Sequence, residues 1–126
     1  MRAIDTNVLV RLIVQDDEKQ VSDAKAFIAL GAGVSKIVLA EAIWVLRSVY
    51  RQEHSDIADA IEMLLSNSQI FLEDAEAVTA ALAHYRKHSS LRFSDCLILE
   101  SARKAGHLPL GTFDRGLAKL DGVQKL

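Results

Sequence analysis

Four of the 17 acidic residues stand where a charge is costly. Asp5 follows Ala3-Ile4 and precedes Thr6-Asn7, Glu41 is the only charge between Ile37 and Leu46, Asp95 heads the run Cys96-Leu97-Ile98-Leu99, and Asp114 follows Leu110-Gly111-Thr112-Phe113. An ionised carboxylate in apolar surroundings is costly unless it is paired or bound to a cation. Each acid has a plain structural explanation. Asp5 and Asp95 suit helix caps, Asp114 suits a turn, and Glu41 suits the edge of a half-buried helix. Those explanations leave out a shared placement. Asp5 and Asp114 lie just past apolar strands, and Glu41 and Asp95 are expected in the first turn of helices. In a parallel sheet these positions share the carboxyl edge, where ligands bind.

Carboxylates gathered at one edge repel. Two of them about 4 Å apart do so by ~4 kcal/mol at an effective dielectric of about 20. A divalent cation removes that cost, and oxygen donors without His or Cys suit Mg²⁺ or Mn²⁺. Water held that way becomes a nucleophile, and two such ions ~3.5–4 Å apart stabilise both oxygens of an in-line phosphoryl displacement. Acids and metal alone suffice for phosphodiester cleavage.

The elements expected to position these acids follow from spacing. Val21, Ala24, Phe27 and Ile28 form an apolar stripe behind an Asp17/Gln20 capping box, ending near Gly31. Further stripes are Val38 to Val49, Ile57 to Leu65 behind a Ser55 or Asp56 cap, and Val78 to Tyr85 behind Asp74; a last helix runs from about Ser94 to Ala105, stopped by Gly106. Strand-sized apolar pieces lie between them: 2–4, 33–35, 69–72, 108–113 and 123–126, with Pro109 at the start of its strand. Alternation of this kind predicts an α/β fold with a parallel sheet covered on both faces.

A length of 126 residues suits a single domain, 1–126. Half the residues are hydrophobic and a quarter charged, which excludes disorder. With 15 basic against 17 acidic residues the net charge is −2, so phosphate must be met by a local patch or a metal ion. The lone Cys96 excludes paired-cysteine zinc sites and fits a reducing compartment, and no apolar run is long enough to span a membrane; a cytoplasmic location is the expectation.

Ile4-Asp5-Thr6-Asn7-Val8-Leu9-Val10-Arg11, Val38-Leu39-Ala40-Glu41 with Trp44-Val45-Leu46, Ser94-Asp95-Cys96-Leu97-Ile98 and Thr112-Phe113-Asp114 resemble, in this order and over the whole chain, the PIN-domain family. Within that family they resemble the VapC ribonuclease toxins of bacterial toxin–antitoxin pairs. The resemblance implies a three-layer α/β/α domain with a central parallel sheet of four to five strands. It also implies Mg²⁺ or Mn²⁺ at Asp5, Glu41, Asp95 and Asp114, with endonuclease activity on RNA. Asn7 and Thr112 match polar residues that support the acids. A homodimer and a small antitoxin that blocks the site are implied as well. Cys96 stands where many relatives carry Ala, and Gly111 where many carry a larger apolar residue.

Arg11, Arg92 and Arg115 are candidates for the basic rim that RNA phosphates need, with surface salt bridging as the plainer role. His84 and His88 have zinc-helix spacing but lack the glutamate, so a solvated helix face is expected; Trp44 is expected in the core or a dimer interface. Two competing readings are a non-catalytic PIN-like module that binds RNA or protein, and a phosphoacceptor receiver domain. The receiver domain requires paired acids after the first strand, where Asp5 stands alone.

Overall fold

Six helices and five short strands alternate in a computed structural model that describes all 126 residues, Met1–Leu126. The order is β1 (Arg2–Ala3), α1 (Thr6–Val14), α2 (Glu18–Ile28), β2 (Ala32–Val34), α3 (Lys36–Ser48), α4 (His54–Ser66), β3 (Ile70–Leu72), α5 (Ala75–Lys87), α6 (Phe93–Ala105), β4 (Leu110–Thr112), a 3-10 turn (Leu117–Lys119) and β5 (Val123–Lys125). Every strand pairing is parallel, so the fold class is α/β as the alternation predicts. The strands form two sheets, β1-β2-β3 and β4-β5, where a single sheet of four to five was expected. Pairing is short because capping residues interrupt it: Ser35 directly follows β2, and Asp5 stands two residues beyond β1.

The chain divides into two compact units, Met1–Ala75 and Glu76–Leu126. In the first, helix starts are set by side-chain caps. Asp5, Asp17 and Ser35 accept from the backbone N–H groups of Val8, Gln20 and Val38 at 3.1, 3.0 and 3.1 Å. Two expectations change here, and one helix is added. The Gln20 carboxamide accepts from Arg11 Nε at 2.8 Å instead of completing a capping box with Asp17. The cap of α4 is Glu53, whose backbone N–H donates to Asp56 at 3.0 Å, so Asp56 completes the box rather than starting the helix. Helix α1, which spacing did not mark, packs against α2 and α3 and buries Leu9, Val10 and Leu12. Leu39, Ala42, Leu46, Ile57 and Ile61 complete this core. Ser35→Ala removes the acceptor at the head of α3 and is expected to cost about 1 kcal/mol, read as a lowered urea midpoint with unchanged slope.

In the second unit Val78, Ala81, Tyr85, Phe93, Cys96 and Leu99 are buried, with Tyr85 and Phe93 edge to face at 5.8 Å and 89°. Gly106 ends α6 in the left-handed region (φ 79°), the conformation glycine adopts without strain. His84 does not face solvent as expected. Its Nε2 lies 3.1 Å from Glu100 Oε2, which also accepts from Arg103 Nε at 3.2 Å, so the buried Glu100 is held between His84 and Arg103. No helix is long and apolar enough to cross a membrane.

Candidate active site

In the first unit Asp5 and Glu41 are both tied to the start of α1. Asp5 ends the turn after β1, and one of its carboxylate oxygens is tied to the Val8 N–H. The next residue, Thr6, donates its hydroxyl to Glu41 Oε2 at 3.1 Å, which joins α3 to the start of α1. Thr6 was not singled out from the sequence. The signal available was its position directly after a capping acid. Asn7 presents an exposed carboxamide on the same turn.

The second unit brings Asp95 and Asp114 together. Asp95 is the third residue of α6 and half-buried; burial pushes its carboxyl above the usual carboxylate range, the charge of Asp114 pushes it further, and Arg92 opposes both. Thr112 Oγ accepts from the Asp114 N–H at 3.0 Å, while Asp114 Oδ1 accepts from the N–H groups of Gly116 and Leu117 at 2.7 and 3.3 Å. The carboxylate of Asp114 is thereby aimed by its own loop, leaving Oδ2 outside that network. A Cβ at Gly116 would stand 3.3 Å from Asp114 Oδ1 and from the Leu91 side chain, so glycine there lets the loop close on the acid. Cys96, next to Asp95, is buried and its thiol is pushed up to about 11, first by burial and then by the Asp95 charge, which removes it as a nucleophile.

Two expectations about surroundings are corrected. Asp5, Glu41 and Asp114 are exposed, not enclosed by apolar side chains. Glu41 shares its helix face with Ile37 and Trp44, which are themselves exposed at 73% and 66%, so an apolar window in the chain did not mean burial and Trp44 is not core. Glu41 also lies in the second turn of α3, because the cap is Ser35. Among the arginines, Arg92 and Arg115 are exposed, whereas Arg11 donates to Gln20, to Asp16 at 2.6 Å and to the Tyr50 hydroxyl at 2.8 Å.

No group of three or more His, Cys, Asp or Glu side chains is arranged to hold a metal ion. The donors present are oxygen only, and Asp95 with Asp114 form a pair of repelling carboxylates, one desolvated and one oriented. Such a pair fits a hard divalent cation that keeps most of its waters, as Mg²⁺ does.

The PIN domain family model matches residues 3–123. The chain belongs to the PIN domain family. This PIN domain is also 27% identical, over 125 residues, to the VapC ribonuclease of Aquifex aeolicus (strain VF5), an alignment that covers 95% of this chain and 92% of the relative. No solved structure matches it significantly. The family match spans all four sequence-marked acids of the PIN domain, Asp5, Glu41, Asp95 and Asp114.

Proposed function

We propose that this PIN domain, a single domain over 1–126, is a divalent-metal-dependent endoribonuclease of the toxin type, restrained by a small antitoxin protein and working as a homodimer in the cytoplasm. The observation that carries the proposal is the Asp95–Asp114 pair in a chain of this family: a carboxylate pushed up first by burial and then by the charge of a second one that its loop holds in place. Likeness to a VapC ribonuclease over nearly the full length supports the substrate class.

The metal ligands would be Asp5, Glu41, Asp95 and Asp114. A Mg²⁺ or Mn²⁺ ion at such carboxylates would supply Lewis acidity to the scissile phosphodiester and to an attacking water. The chain's own residues do the positioning. Thr6 fixes the rotation of the Glu41 carboxylate, and the Gly116 and Leu117 N–H groups fix that of Asp114. Thr112 holds the turn that carries Asp114. Arg92 and Arg115 are free to bind phosphates of the RNA strand on either side of the cut, while Arg11 is held in its local network and is assigned a structural share of the site. The test is direct. Purified protein is expected to cut single-stranded RNA at discrete positions, read by mapping the new ends; an inert preparation in the presence of Mg²⁺ and Mn²⁺ would overturn the proposal.

A further inference from the structure

The first unit contains a cleft of about 580 Å³ walled by β1, α1 and α2, with Asp5 on its lining. Its volume falls within the ~300–1,000 Å³ of sites that enclose small organic groups. Ile4, Val8, Ala24 and Phe27 make most of the wall apolar. The Phe27 ring is fixed in place: the Arg2 guanidinium carbon sits 3.7 Å from the ring centroid, and Arg2 Nη1 donates to the Phe27 carbonyl at 3.3 Å.

The polar groups of the cleft decide what it can take. Asp5 and Asp23 are acidic, Asp23 Oδ2 being paired with Lys19 Nζ at 3.1 Å on the exposed rim, and the cation on the wall, Arg11, is already engaged by Gln20, Asp16 and Tyr50. The interior therefore offers a phosphate no unengaged cation. A flat neutral heterocycle needs none: it can stack on Phe27, and an exocyclic amine on it meets acceptors at Asp23 and at the Asn7 carboxamide, while the Gln20 amide group can donate to a ring nitrogen. We propose that this cleft takes one unstacked base of the substrate strand, a base carrying an exocyclic amine such as adenine, and leaves its phosphate outside in solvent. The inference rests on the nuclease reading for the identity of the strand, whereas binding of the base itself can be measured without cleavage.

The experiment titrates adenosine, uridine and inorganic phosphate into the ¹⁵N-labelled full chain in EDTA and follows the side-chain amides of Asn7 and Gln20. Adenosine is expected to shift both, uridine to bind roughly tenfold more weakly, and phosphate to leave both unmoved. Phe27→Leu, which keeps apolar bulk but removes the stacking face, should weaken adenosine by about tenfold. Asp23→Ala, at an exposed position, should erase the difference between adenosine and uridine. In a cleavage assay Phe27→Leu should flatten the base preference next to the cut. Adenosine binding without cleavage of any RNA would end the nuclease reading and leave the cleft's assignment standing. Unmoved amides with adenosine would overturn the assignment. So would a Phe27→Leu variant that cuts with an unchanged pattern but loses a protein partner, since the cleft would then be a peptide groove.

Discussion

Asp95→Asn is expected to abolish RNA cleavage by more than about a hundredfold, because even groups that only support metal ligands cost 10–100-fold when removed. The protein should remain folded. Asp95 is half-buried and repelled by Asp114, so a neutral amide of the same shape removes an unfavourable charge from α6 and leaves its packing intact. Thermal melting in EDTA should therefore show a midpoint equal to or above that of the parent protein. Loss of activity together with a lowered midpoint would assign Asp95 to structure; full activity in the variant would remove the proposed chemistry. Asp114 offers a stricter comparison, since Asn at 114 can still accept from the Gly116 N–H and preserve the loop.

Chelation is expected to have an effect of the same size. EDTA should stop cleavage completely, and excess Mg²⁺ or Mn²⁺ should restore it. A second readout is independent of RNA. A cation that binds the folded carboxylates and not the unfolded chain stabilises by about 2.7 kcal/mol when its concentration is 100 times the Kd. Mg²⁺ should thus raise the melting midpoint of the parent protein and have little effect on Asp95→Asn. Equal shifts in both proteins would locate the ion elsewhere, and cleavage that persists in EDTA would exclude a metal mechanism.

Helices α2, α3 and α6 were legible from the chain because one face of each is apolar at the 3.6-residue spacing, and because Asp17 and Gly106 mark two of their ends. Helix α1 was not. Val8 to Val14 holds one polar residue, Arg11, and four β-branched ones, which locally suit a strand, and the buried face formed by Leu9, Val10 and Leu12 was passed over; the helix is fixed by the Asp5 cap and by packing on α2 and α3. The start of α4 was misplaced because Ser55 and Asp56 are both good caps, and the choice of Glu53 depends on the reciprocal bond that Asp56 returns. Residue types and order marked four acids as candidates, but could not show that three of them, Asp5, Glu41 and Asp114, are exposed. Glu41 lies among Ile37 and Trp44, and a one-dimensional window cannot tell an apolar residue that is buried from one that faces outward. Thr6 was invisible for a related reason: its value lies in a bond to a residue 35 positions away.

Asp5 holds two posts at once, as a candidate ligand and as the side chain that starts α1. That overlap constrains how a copy of this gene could decay. Asn accepts a backbone proton at a helix head as well as Asp does, whereas Ala forfeits about 1 kcal/mol there. Under the proposed function, a lineage that lost activity while keeping its shape would pass through asparagine at this position.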